Sequence, residues 1–197
     1  MRRKILPGVL EDAGETLLKN MNVVLIGYRG AGKSSVGSRL AIRMGKGFVD
    51  TDDLVEERQR ASIRDIVESY GWDHFRAAEK RVIEEVSHSD DFIIAPGGGA
   101  VLDPENVASL KKNGLVIWLK ADREALCRRI DRDSRTVGSR PALTGKGALE
   151  EFGEVMAIRN PFYERAADAQ IDTTGMDLEE VVEALSAIIR EKTGGLQ

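Results

Sequence analysis

The octet Gly27-Tyr28-Arg29-Gly30-Ala31-Gly32-Lys33-Ser34 constrains this chain more than any other stretch. It follows the apolar run Val23-Val24-Leu25-Ile26 and precedes a segment of helical patterning, so the local order is strand, glycine loop, helix. The octet fits G-x-x-x-x-G-K-[ST]. In that pattern glycines let backbone amides turn inward on phosphates, the lysine reaches the β and γ oxygens, and the hydroxyl can ligate Mg²⁺. Gly30, Ala31, Gly32, Lys33, Ser34 and the adjoining Ser35 are therefore the candidate nucleotide-binding residues. The positive end of the following helix dipole adds to the attraction for anions. An ordinary glycine turn also joins strand to helix, but a buried strand before the loop and a helix in register after it favour phosphate binding.

Composition bounds the rest. At 197 residues and 42% hydrophobic content the chain suits one α/β domain with a real core. Its 29 basic and 33 acidic residues leave a formal charge of −4, so no global cationic field calls for nucleic acid or an anionic membrane, and anion recognition must be local. The single cysteine, Cys127, cannot form an internal disulfide, and its polar helix-like surroundings suit a structural thiol in a reducing cytoplasm. Met1-Arg2-Arg3-Lys4 is basic, yet no apolar stretch follows, and Glu11, Asp12 and Glu15 break the acid-poor composition of a transit peptide. Residues 1–20 are expected to form an exposed extension, ahead of a single domain over 21–197. No run of apolar residues is long enough to span a bilayer.

Short apolar runs at 23–27, 92–95 and 115–119, with Phe48-Val49 and Ala169 to Ile171, alternate with amphipathic stretches, which predicts βαβ units and a parallel sheet. The first helix is expected to end near Met44, at Gly45 and Gly47. Residues 52–87 carry helical periodicity broken near Tyr70-Gly71 and read as a helical insertion beside the cleft. Further helices are expected over Pro104 to Lys112, Glu124 to Ile130, Leu149 to Arg159 and Leu178 to Ile189. Trp72 and Trp118 read as packing residues rather than binding platforms. Between 131 and 146 the sequence is polar, glycine-containing and without apolar period, a long loop suited to a basic lid.

Asp50-Thr51-Asp52 ends the second expected strand, and in an open parallel sheet the carboxyl ends of strands face the ligand crevice. Asp50 can hold Mg²⁺ directly or through water, and Asp52 can accept a hydrogen bond from a substrate hydroxyl and align or deprotonate it. Equally, Asp52 or Asp53 can cap the helix that begins at Leu54. Gly97-Gly98-Gly99 follows the next strand and leaves backbone at the cleft, which permits close approach of a small ligand. A flexible turn would need only one glycine.

Taken in order, Gly30-x-Gly32-Lys33-Ser34-Ser35-x-Gly37, Asp50-Thr51-Asp52, Phe75-Arg76-x-x-Glu79, Gly97-Gly98-Gly99-Ala100, Arg140-Pro141 and Arg159-x-Pro161-x-Tyr163 resemble the motif series of shikimate kinases. The resemblance runs from about Asn22 to Leu185. It implies a three-layer α/β/α fold with a five-stranded parallel sheet, like the P-loop nucleoside monophosphate kinases. The sequence itself shows no clear self-association stripe, so a monomer is expected. The resemblance also implies ATP-dependent phosphorylation of the 3-hydroxyl of shikimate, with Mg²⁺, on the way to chorismate and the aromatic amino acids. By the same resemblance Asp52 binds the ring hydroxyls and acts as base, Arg76 and Arg159 clamp the carboxylate, and the Gly97, Gly98 and Gly99 backbone contacts substrate. Lys33 and the lid residue Arg140 would meet the phosphates.

That division suits the chemistry: guanidinium forks match a carboxylate bidentately, and Glu79 stands at i, i+3 spacing to orient Arg76. Outside the family pattern, Arg76 and Arg159 would read as a solvated helix face. The stretch from Asp131 to Arg140 is a few residues longer than the usual lid, with Arg132, Arg135 and Arg140 all available to the nucleotide and Arg132 a candidate for stacking on adenine. Two other readings fit the phosphate loop: a kinase for another small hydroxy acid such as gluconate, or for a nucleotide, and a nucleotide-binding module without chemistry.

Overall fold

The computed structural model describes residues 20–132 and 148–194. Five strands form one parallel sheet in the order β2-β3-β1-β4-β5: β1 (Asn22–Ile26), β2 (Gly47–Asp50), β3 (Phe92–Ala95), β4 (Gly114–Lys120) and β5 (Ala169–Asp172). The helices are α1 (Lys33–Met44), α2 (Thr51–Gln59), α3 (Ile63–Ser87), α4 (Pro104–Lys112), α5 (Arg123–Arg132), α6 (Ala148–Ala166) and α7 (Leu178–Gly194). This is the expected α/β fold.

Strand alternation builds the three layers. Along β1, Val23 and Leu25 point to one face and Val24 and Ile26 to the other, and all four are buried. Val24 and Ile26 join Ile94, Val116 and Trp118 under residues of α2, α3, α4 and α6. Val23 and Leu25 join Ile93, Ile117 and Leu119 under residues of α1, α5 and α7. A strand covered on both faces reads as a continuous apolar run, which is why the strands were legible without alternation. Because every strand runs the same way, the loops after β1, β2, β3 and β5 open at one edge of the sheet, and the central β1 brings the glycine loop to its middle.

Some helix boundaries differ from the expectation. The segment after Asp50 is two helices, because Arg60 takes the left-handed conformation (φ 52°) that closes α2, and Ser62 then caps α3. A non-glycine residue in that conformation carries no sequence signal. The expected break at Tyr70-Gly71 is present as a kink within α3, where Gly71 leaves helical geometry with φ 82° and ψ 169°. Helix α6 runs on past Arg159 to Ala166 through Pro161. The proline costs one backbone hydrogen bond, and burial of Tyr163 and Ala166 against the sheet offsets that loss.

Candidate active site

A cleft of about 610 Å³ opens at the carboxyl edge of the sheet, lined by residues Arg29 to Val36 of the loop and of α1, by Asp50, Asp52 and Asp53 after β2, and by Arg129, Thr173, Met176 and Asp177 on the far side. Helix α1 begins at Lys33 behind Gly32, which sits at φ 90° and makes no side-chain cap. By contrast Asp50, Ser62 and Asp103 cap α2, α3 and α4 with their side chains. The first amides of α1 are left for a ligand at the cleft, as a phosphate site requires. Gly30, at φ 78°, leaves no room for a Cβ, which would lie 2.8 Å from Ile130 Cγ1. The loop glycines thus serve both backbone conformation and packing on α5.

Lys33 is largely buried, with its Nζ donating to the carbonyls of Gly27 at 2.9 Å and Tyr28 at 3.2 Å. The ammonium is anchored to its own loop, and Lys33 lines the cleft. Ser34 Oγ donates to Asp50 Oδ2 at 2.5 Å, while Asp50 Oδ1 accepts from the Asp52 amide at 3.0 Å. The cap of α2 is therefore Asp50, not Asp52 or Asp53, and Asp52 lines the cleft. Ser34 and Asp50 form a hydroxyl and carboxylate pair beside the loop amides. Among the described residues no group of three or more His, Cys, Asp or Glu side chains gathers to hold a metal. That combination fits Mg²⁺, which takes few protein ligands and fills its shell with water and phosphate oxygens.

A second, smaller pocket adjoins the first and is lined by Arg29, Asp52, Trp72, Phe75, Arg76, Glu79, the glycine triplet and Arg159. Each glycine of the triplet has its own reason. A Cβ on Gly97 would lie 2.6 Å from both Asp52 Oδ1 and Glu79 Oε1, one on Gly98 would lie 3.3 Å from the Gly27 carbonyl, and one on Gly99 would collide with the Arg76 guanidinium. The glycines make room first for the protein's own charged side chains and only through them for a ligand. The Gly97 amide donates to Thr51 Oγ1 at 3.2 Å, and Tyr163 Oη donates to the Gly98 carbonyl at 2.5 Å, so the turn is pinned from both sides. Burial pushes the Tyr163 phenol up to about 12, so it remains a neutral donor.

Arg76 Nη1 donates to Glu79 Oε2 at 2.5 Å, the i, i+3 pair expected from the spacing. Glu79 is 1% exposed, and its Oε1 accepts no hydrogen bond. Burial raises the Glu79 carboxyl above its ordinary value of 4.5, against the pull of Arg76 and with a further push from Asp52. A carboxyl raised in the fold holds its proton where the unfolded chain releases it. Its stabilising contribution is therefore complete below pH 4.5 and is lost as pH rises through the raised value. Urea midpoints measured from pH 4 upward should show wild type losing ground to Glu79→Gln as pH rises; a gain would contradict this environment.

The structure brings Lys33, Ser34, Asp50, Asp52, Arg76, the glycine triplet and Arg159 to two adjoining pockets. Arg135 and Arg140 and the side chain of Arg132 lie outside the described residues, as do the lid from 133 to its expected end at 146 and residues 1–19 of the expected extension. Trp118 is a core residue, stacked on Tyr163 at 5.5 Å. Trp72, expected only to pack, also lines the small pocket and carries the Arg76 guanidinium 5.5 Å above its ring centroid. The kink at Gly71 resets the helical register just before it, so a face assigned by periodicity misplaces it. Sequence reasoning also missed Arg129, whose Nη1 and Nη2 donate to Thr173 Oγ1 at 3.0 Å and Thr173 O at 2.8 Å. Arg129 and Arg132 sit near one another on α5, and only the fold shows that Arg129 lines the cleft.

A Gly99→Ala change is expected to push Arg76 from its seat. The KM for a carboxylate substrate should rise roughly tenfold or more with a smaller change in kcat, as loss of a binding contact requires. Steady-state kinetics with unaltered KM would show that Arg76 does not need that space.

A phosphate loop at the centre of a parallel sheet, joined to a pocket of guanidinium and carboxylate groups, defines a P-loop phosphotransferase for a small molecule. A family model described as shikimate kinase matches residues 29–190. The chain is 41% identical over 179 residues to the shikimate kinase of Syntrophus aciditrophicus, covering 87% of this chain and 92% of that one. It superposes on the structure of shikimate kinase from Acinetobacter baumannii in complex with shikimate with a TM-score of 0.83 and 29% identity, over 93% of this chain and 99% of that one. A gluconokinase from Sinorhizobium meliloti shares the fold at a TM-score of 0.60 and 17% identity, covering 90% of this chain and 96% of that one, so the fold alone does not choose the acceptor. The chain belongs to the shikimate kinase family.

Proposed function

We propose that the protein transfers the γ-phosphoryl group of ATP to the 3-hydroxyl of shikimate, giving shikimate 3-phosphate and ADP. The observation that carries this reading is the convergence of Asp52, Arg76 and Arg159 on one pocket that opens into the phosphate-loop cleft. Shikimate is a ring with one carboxylate and several hydroxyls, and Arg76 and Arg159 offer guanidinium forks for the first while Asp52 accepts from one of the second. The Gly98 turn, pinned by Tyr163, holds backbone against the ring.

In the reaction the loop amides and Lys33 hold the triphosphate, with Lys33 exchanging its loop carbonyls for phosphate oxygens. Ser34 and Asp50 would hold Mg²⁺, which when bound neutralises charge on the β and γ oxygens. Asp52 aligns the attacking hydroxyl and takes its proton, the bond from the γ-phosphorus to ADP breaks as the new one forms, and no covalent enzyme intermediate is needed. Positioning and preorganised charge supply most of the acceleration. Arg129, Thr173 and Met176 close the far side of the cleft, where the base of the nucleotide would lie.

Both substrates are small anions, so neither nucleic acid nor membrane is asked for, and we take the protein to act as a monomer in the cytoplasm, within chorismate and aromatic amino acid biosynthesis. No helix among the described residues is long and apolar enough to cross a membrane. The test is ADP release by purified protein with shikimate or gluconate as acceptor. Shikimate is expected to lead by at least roughly a thousandfold in kcat/KM, since a site built around buried polar partners rejects a ligand that leaves them unpaired. A lead for gluconate, or ATP binding without shikimate-dependent ADP release, would overturn the proposal in favour of one of the two other readings.

A further inference from the structure

Arg29 occupies a variable position of the phosphate-loop pattern, where any side chain is compatible with the motif. It nonetheless lines the large cleft beside Gly30, Lys33 and Ser34, and also the small pocket beside Asp52, Arg76 and Arg159. Only Asp52 and Ile63 among the described residues share that double placement. Of the three, one is a carboxylate, one is apolar, and Arg29 is the cation. The Arg29 amide nitrogen and Arg159 Nη1 both lie 3.6 Å from the point that a Cβ on Gly98 would occupy, so the two residues meet across that glycine. The Arg29 guanidinium stands 5.8 Å from the centroid of the Tyr28 ring, and that buried ring is itself held edge-on by Phe152 at 5.4 Å.

Charge points the same way. The small pocket is lined by Arg29, Arg76 and Arg159 and by Asp52 and Glu79, and Arg76 bonds Glu79. A substrate with one carboxylate is satisfied by the clamp of Arg76 and Arg159. Arg29 is the third arginine of this pocket, and it alone of the three also lines the cleft from which the phosphoryl group must cross. Lys33, the other cation on the loop, is anchored on the Gly27 and Tyr28 carbonyls beside it.

We propose that Arg29 is a catalytic residue that contacts the phosphoryl group in transit, stabilising its equatorial oxygens in the transition state and the new phosphate on the product. The inference rests on the shikimate kinase reading and adds a residue to it. The balance of the reaction is unchanged: the γ-phosphorus leaves the bridging oxygen of ADP for the substrate hydroxyl oxygen, whose proton goes to Asp52, and Arg29 exchanges neither proton nor electron. A planar, permanently charged fork suits that task better than an ammonium.

The test compares wild type, Arg29→Met and Arg29→Lys by steady-state kinetics and by calorimetric titration with shikimate and with shikimate 3-phosphate. Arg29→Met keeps an unbranched stem and removes the charged guanidinium. It should lower kcat roughly a hundredfold, below the full effect of a transition-state arginine because other cations remain. The KM and affinity for shikimate should stay within about twofold, while affinity for shikimate 3-phosphate falls about tenfold or more, since only the phosphorylated ring meets the lost charge. Arg29→Lys should recover part of both losses. Equal weakening of shikimate and its phosphate would place Arg29 in the carboxylate clamp or in loop folding and overturn the proposal, as would unchanged kcat or unchanged product affinity. Active wild type with an unaffected Arg29→Met refutes this role alone; wild type inactive with shikimate refutes the family reading and this role with it.

Discussion

Lys33→Ala is expected to lower kcat by roughly two to four orders of magnitude, the scale seen when a preorganised charge at a developing anion is removed. The fold should survive. The ammonium bonds two carbonyls of its own loop in the lining of the cleft, and loss of those bonds costs about 1 to 3 kcal/mol at most. Circular dichroism melts would separate the two effects, with a small fall in Tm beside a large fall in turnover. Near-normal turnover in a folded variant would mean that Lys33 remains on its loop carbonyls throughout the cycle, and the phosphate-loop account of catalysis would fail.

Asp52→Asn is expected to reduce kcat by roughly a hundredfold to ten-thousandfold, the usual range for a removed proton acceptor. Shikimate binding should change much less, because an amide oxygen still accepts a hydrogen bond from the ring. The variant also removes a charge beside Glu79, one of the causes that raise that carboxyl, so Glu79 should titrate closer to its ordinary range. Asp52→Glu gives the complementary control: it keeps the base but moves it towards the space that Gly97 leaves, and should recover only part of the rate. If Asp52→Asn turns over like wild type, the proton leaves by another route and Asp52 is only an orienting group.

The sheet and the phosphate loop were legible because both rest on local chemistry. Buried parallel strands must be apolar on both faces, and a glycine loop ending in Lys-Ser has few uses. The kink at Gly71 was legible for the same reason, since only its φ of 82° needs glycine. The end of α2 was not, because Arg60 adopts its left-handed turn under the constraint of neighbouring helices rather than by its own preference. The cap of α2 shows a second limit. Three aspartates lie within four positions, and only the turn of the chain after β2 selects Asp50 to bond the Asp52 amide and the Ser34 hydroxyl.

The small pocket divides in the same way. Arg76 and Glu79 pair through helical spacing that sequence displays, and Asp52 lies at a strand end that topology turns to the cleft. Arg159 joins them from α6, far along the chain, which no local pattern conveys; the ordered motif resemblance brought it in. Trp72, Arg129 and Thr173 belong to no motif quoted for the family, and their places follow from the kink in α3 and from the register of α5 against the loop after β5. The glycine triplet was read as space for a ligand. A Cβ on Gly97 would also meet Asp52 and Glu79, and one on Gly99 would meet Arg76, a need of the protein's own side chains that only the fold displays.

Phosphorus NMR of a reaction containing the purified protein, ATP, Mg²⁺ and shikimate tests the central claim most directly, because it reads the acceptor as well as the loss of ATP. One new monoester resonance should grow in step with ADP, and carbon spectra should place it on the 3-hydroxyl. Inorganic phosphate in place of the ester, a phosphate on another hydroxyl, or ATP left intact would contradict the account.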